Sequence, residues 1–157
     1  MTLDDPLLKL LLSTVLGSVI GWERFVDNKP AGLRTHTLVC LGATGFMVMA
    51  EHALSGTVTT GADVTRVMQG VITGIGFLGA GSIIQAAGSV RGLTSAATVW
   101  LVAAIGMAVG VGDTATALEL TGIAIVVLRG FRWIEGAWNR RHPRHHESYR
   151  TKPPNEA

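Results

Sequence analysis

The chain has 157 residues, 48% of them hydrophobic, with 13 basic and 11 acidic side chains. The charges crowd toward the ends: the 92 residues from Thr37 to Leu128 carry only Glu51, Asp63, Arg66, Arg91, Asp113 and Glu119. A soluble domain needs charge every few residues to cover its surface, so this pattern excludes one, and the lone Cys40 excludes a disulfide scaffold. What remains is an all-α polytopic membrane protein.

Crossing a hydrocarbon core of about 30 Å takes about 20 apolar residues in a helix. Five stretches are read as spans: 7–22, 37–54, 67–87, 93–111 and 114–133, the last with its apolar part ending near Leu128. The first carries Lys9 near its start, where a long side chain reaches the interface. It is taken as a retained helix and not a signal peptide, because Asp4 and Asp5 make the N-terminus acidic and Ser18-Val19-Ile20-Gly21 offers no small-residue exit. The second ends at Glu51-His52, and the fifth contains Glu119, either inside the helix or ahead of a later start. Together they define a domain over 1–135, followed at 136–157 by a short basic tail expected to be disordered and cytoplasmic.

The third span holds five glycines, Gly70, Gly74, Gly76, Gly79 and Gly81. At 100° per residue, Gly70, Gly74 and Gly81 share one face while Gly76 and Gly79 lie opposite. Bare backbone on two sides admits two close neighbours, which places this helix at the centre of the bundle. Further small pairs four apart occur at Gly17/Gly21 and Gly106/Gly110. The dinucleotide-like spacing Gly74-x-Gly76-x-x-Gly79 is discounted, since no strand precedes it.

Five spans put the two ends on opposite sides. The segments 23–36 and 88–92 and everything after Leu128 hold eleven lysines and arginines, while the other side holds only Lys9 and Arg66. Positive charge marks the cytoplasmic side, so the N-terminus is expected outside and the C-terminus inside. The basic tail suits anionic lipid; no nucleic acid partner is expected.

Arg24, Lys29, Arg34 and Arg91 fall on the cytoplasmic side, either to cradle an anion or to hold the topology. Glu23 follows an apolar run directly and at that depth needs a cation, which Arg24, Arg34 or Arg91 could supply; a pair with Arg91 or Arg24 is expected to fix how the first helix packs on the third. Outside, Glu51, Asp63, Asp113 and Glu119 are weak metal candidates, because magnesium is held by one or two carboxylates and retained waters. No nucleophile–base arrangement is visible, so neither an enzyme nor a resident cofactor is expected. The third and fourth spans offer Gln69, Thr73, Ser82, Gln85, Thr94, Ser95 and Thr98 but no continuous polar stripe for an ion.

The run Gly21-Trp22-Glu23-Arg24, then 29–39 from Lys29-Pro30-Ala31-Gly32-Leu33-Arg34-Thr35-His36, then Arg66 through the glycines to Gly81, then Val90-Arg91-Gly92-Leu93-Thr94-Ser95 resembles the MgtC/SapB family. The resemblance implies a bacterial inner-membrane protein linked to growth in low magnesium and, in pathogens, to survival in host cells. It leaves two activities open, ion transport and regulation of other membrane proteins. The glycine-rich third and fourth spans point to a homo-oligomer, a dimer first, and the resemblance implies partner complexes such as the F-type ATP synthase. The motif positions Glu23, Arg24, Arg34, Thr35, Asp63, Arg66, Arg91 and Thr94 become functional candidates. Asp63-Val64 departs from the family's Asp-Pro, and the soluble C-terminal domain of longer members is expected to be absent.

Overall fold

The computed structural model describes residues 5–54, 61–86 and 89–141. In chain order these form α1 (Pro6–Val26), α2 (Leu33–Leu54), α3 (Gly61–Gly81), β1 (Ile84–Ala86), β2 (Ser89–Arg91), α4 (Leu93–Gly110) and α5 (Thr114–Arg141). Contacts divide the chain into one unit over 1–125 and a second over 126–157, whose described residues continue α5 to Arg141. Residues 136–141, expected to open the disordered tail, extend α5, and the rest of that tail, 142–157, lies outside the described residues. α1, α2, α4 and α5 are long and apolar enough to cross a membrane.

Local signals explain where the helices start. Asp5 caps α1 by accepting from the Leu7 amide at 2.8 Å, and Pro6 occupies the first turn, where no amide donor is needed. Asp113 does the same for α5, accepting from the Thr116 amide at 3.1 Å and its hydroxyl at 2.7 Å. α1 runs on through Glu23 and Arg24 to Val26, and α2 begins already at Leu33, so the polar connection is shorter than expected.

The third span is where expectation and structure part. The helix runs from Gly61 to Gly81 and not from 67 to 87, and the residues after it turn back as a two-stranded antiparallel hairpin pairing Ile84 with Arg91. Gly92, at φ +90°, ends that hairpin; a side chain there would strike the Ser82 carbonyl. With six glycines besides Asp63, Arg66 and Gln69, α3 is not among the helices long and apolar enough to cross a membrane, although this stretch reads as a span in the sequence.

Nor is α3 the central helix. α2 packs along α1 on one side and α4 on the other, whereas α3 leans on α4 and more sparsely on α2. Close approach comes from the other glycine pairs. A Cβ on Gly17 would sit 2.7 Å from Cys40 Cβ, and one on Gly21 2.7 Å from Leu33 Cα. On α4, a Cβ at Gly106 would strike the Cys40 carbonyl, and one at Gly110 the Met47 side chain. Between Gly70 and Gly81 on α3, Gly79 is the one glycine that meets a neighbour among the described residues, Ala96. Among the described residues nothing lies within 4 Å of a Cβ built on Gly70, Gly74, Gly76 or Gly81.

Cys40 is fully buried between Gly17 and Gly106, as a packing residue should be. Ile20, Val99, Val102, Ile105 and Val109 complete the sealed interior, and Ala43, Val71 and Ala103 join α2, α3 and α4. α4 is apolar around its whole circumference, which suits a helix covered on several sides. The contacts His36–Thr98 and Thr44–Gly106 pair residues with a constant offset, so α2 and α4 run parallel.

Candidate functional site

Charged and polar side chains are buried where α1 ends and α2 begins. Glu23 and Arg24, consecutive on the last turn of α1, are each 3% exposed. Arg24 Nε donates to Glu23 Oε2 at 2.6 Å and Nη2 to Oε1 at 3.1 Å, a two-pronged pair that matches the guanidinium fork to the carboxylate. Asp27 Oδ2 lies 3.7 Å from the same Nη2. The chain then turns through Asn28, at φ +51°, and the Lys29 amide donates to the Arg24 carbonyl at 3.1 Å.

His36, fully buried at the end of the first turn of α2, lies near this pair. Its Nδ1 lies 2.8 Å from the Gly32 carbonyl, and its Nε2 lies 2.9 Å from Thr98 Oγ1 on α4. Thr98 in turn donates to the Ser95 carbonyl at 3.0 Å. The His36–Thr98 bond thus joins α2 to α4 through polar groups sealed from solvent, with the α1 pair within electrostatic reach of the ring; there each hydrogen bond counts for more and each loss costs more.

A second ion pair ties the opposite ends of the same helices. Lys9, expected at the interface, is instead 3% exposed and donates to Glu51 Oε2 at 2.7 Å. That bond engages one of the acidic metal candidates. The other three are not gathered around it: among the described residues no three His, Cys, Asp or Glu side chains come together. Asp113 is a helix cap. Its bonds from Thr116 hold its carboxyl below the usual carboxylate range. Glu119 is exposed on α5, five residues past the start of that helix, so the later start is not the one observed.

The eight motif candidates separate sharply. Glu23 and Arg24 form the buried pair; the alternative partner Arg91 is exposed on β2, and α1 packs on α2 and α4, so the pair cannot dock α1 onto α3. Arg34, Thr35, Arg66 and Thr94 are exposed, and Asp63 is half-buried in the first turn of α3. Lys29 is likewise exposed, so Arg24 turns inward while the other basic residues of this end face outward. In the sequence His36 stands only within the motif run, and Ser95 and Thr98 among the hydroxyls of an interrupted polar stripe. Their only signal was position: a histidine four residues after Gly32, and hydroxyls at 95 and 98 on an otherwise apolar helix.

The MgtC family profile matches residues 10–137, the whole bundle including this cluster. The chain belongs to the MgtC family. With four helices able to span, it is a multi-pass membrane protein. Among similar proteins, SrpB of Synechococcus elongatus is 37% identical over 147 residues, which cover 84% of this chain and 81% of SrpB. The protein named "Putative magnesium transporter YhiD" of Escherichia coli K12 is 35% identical over 80% of this chain and 60% of its own length. MgtC of Brucella abortus is 43% identical over 72% of this chain and 45% of its own length. The chain therefore spans most of SrpB but about half of that MgtC protein. No solved structure shows significant similarity to this member of the MgtC family.

Proposed function

We propose that this chain is an inner-membrane protein of bacterial adaptation to magnesium limitation, acting without enzymatic chemistry through contacts with other membrane proteins. The magnesium link rests on the relatives named MgtC and YhiD. The contact reading is supported by the surface of α3. Between α2 and α3 runs an apolar groove of about 710 Å³, lined by Leu38, Gly42, Phe46, Gly70, Gly74 and Leu78 among others. Helices in lipid associate through close backbone approach, and bare glycines on an uncovered face provide it. A second copy of this chain is the first candidate occupant, and a complex such as the F-type ATP synthase the next.

Cysteine crosslinking in native membranes tests this. Gly74→Cys, in a Cys40→Ala background, adds a side chain where nothing lies within 4 Å and leaves the bundle undisturbed. It should capture a dimer or a discrete partner, whereas a cysteine on the α1 face at Val15 should not. Capture from neither position, with the protein folded, overturns the contact reading. The name given to YhiD favours transport as the rival. Magnesium uptake by liposomes holding only the purified protein would decide for the rival; its absence together with a crosslinked partner decides for contact.

A further inference from the structure

The hydrogen bonds around His36 do not describe one proton arrangement but two. The Gly32 carbonyl only accepts, so Nδ1 must carry a proton in either state; the same carbonyl also accepts from the His36 amide at 3.2 Å. That leaves Nε2 and the single hydroxyl proton of Thr98. When the ring is neutral, Nε2 is a bare acceptor, and the Thr98 hydroxyl must point at it and away from the Ser95 carbonyl. When Nε2 is protonated, it donates to Thr98 Oγ1, and the hydroxyl is free to donate to Ser95 at its 3.0 Å separation.

We propose that His36 and Thr98 form a proton-binding site inside the bundle, where uptake of one proton at Nε2 reverses the hydrogen bond between α2 and α4. The balance is simple: the imidazole gains one proton, and the Thr98 proton rotates from Nε2 to the Ser95 carbonyl. Both residues are sealed from solvent, at 0% and 4% exposed, so the reversal is felt by the helices.

Few charged groups surround the ring. From α1, Glu23 and Arg24 are the charged groups within electrostatic reach of the ring, and Asp27 lies behind them on Arg24. α4 has no titratable residue in its 18 positions and offers only the hydroxyls of Ser95 and Thr98. α3 carries its charges, Asp63 and Arg66, in its first two turns, away from the end that meets Ala96. On α2 itself Arg34 is exposed, and Cys40, one turn beyond His36, is buried between glycines.

The test is nitrogen NMR on the full chain, labelled at histidine and held in nanodiscs, with His36 assigned by the signal lost in His36→Gln. Near neutral pH the site requires a protonated Nδ1 and a bare Nε2. As pH falls from about 8 to about 4, Nε2 should take up a proton. Thr98→Val removes the charge-assisted bond and should lower the midpoint by about 0.7 pH unit, the equivalent of about 1 kcal/mol; Thr98→Ser should keep it. A neutral ring protonated at Nε2, no uptake over that range, or an equal midpoint in Thr98→Val overturns the proposal. The wild-type protein alone decides the first two, whatever the variants do to folding.

Discussion

Lys9 and Glu51 share one ion pair on unequal terms. The lysine side chain is 4% exposed and the glutamate 62%, so water serves the carboxylate when the pair breaks but does not serve the ammonium. Removing one partner of a sealed pair costs about 3–5 kcal/mol, and exposure of Glu51 reduces this to about 1–2 kcal/mol here. Glu51→Ala should therefore lower the unfolding temperature in detergent, whereas Lys9→Met, which removes the buried charge, should be close to neutral. Equal losses would show that Lys9 finds another partner. Glu23 and Arg24 differ in that both are buried, at 2% and 4% of their side chains, so each single removal takes the two-pronged partner from a buried charge and leaves Arg24 with Asp27 at 3.7 Å. In a double-mutant cycle on folded yield, Glu23→Gln and Arg24→Gln should each lose more than the pair of changes together. Arg91→Gln should leave the yield unchanged, since that residue is exposed. Additive losses at 23 and 24 would show that the fork is not formed.

Between elements, helix separation is decided by the glycines that a neighbour actually meets. Gly17→Ala and Gly106→Ala drive a methyl into Cys40 and should each destabilise by about 1–3 kcal/mol, as overpacking does. Gly74→Ala meets nothing within 4 Å and, placed in a helix interior, should be neutral or stabilising in the isolated protein. Thermal melts of the three variants in one detergent separate these outcomes. The ends of elements respond to pH as well. The Asp113 carboxyl, held low by Thr116, contributes stability above the usual carboxylate range, and that contribution is lost as pH falls through the lowered value. Asp113→Ala should accordingly flatten the acid limb of the unfolding-temperature profile while leaving its slope near neutral pH alone. An unchanged acid limb would mean that the cap does not report on folding.

At the scale of the molecule, the eleven-to-two division of lysine and arginine predicts which side each connection occupies. A reporter enzyme active only in the periplasm should work when fused within 55–62 and be silent when fused after Pro154. The reverse pattern would overturn the orientation. The antiparallel pairing of α1 with α2, tied at one end by Lys9–Glu51 and packed at the other through Gly21 and Leu33, agrees with consecutive spans of opposite direction.

What the residues alone determined is the class of the molecule. Ninety-two residues with six charges leave the chain no way to cover a water-facing surface, and helix is the structure that satisfies its own backbone in lipid. The pairing of Glu23 with an arginine was legible for the same reason, since a carboxylate at a membrane boundary needs a cation, but the choice of Arg24 over Arg91 was not. Composition does not say how a helix is turned. Gly70, Gly74, Gly76 and Gly81 read like packing positions as well as Gly17 and Gly106 do, and only the tertiary structure shows which pair meets a neighbour. The same holds for Lys9, whose charge suggested the interface until Glu51 arrived from the far end of α2. It holds most of all for His36, separated from Thr98 by 62 positions. A hydrogen bond between two helices depends on their rotation and offset, and those are properties of the packed bundle, set by where side chains are small enough to let backbones approach.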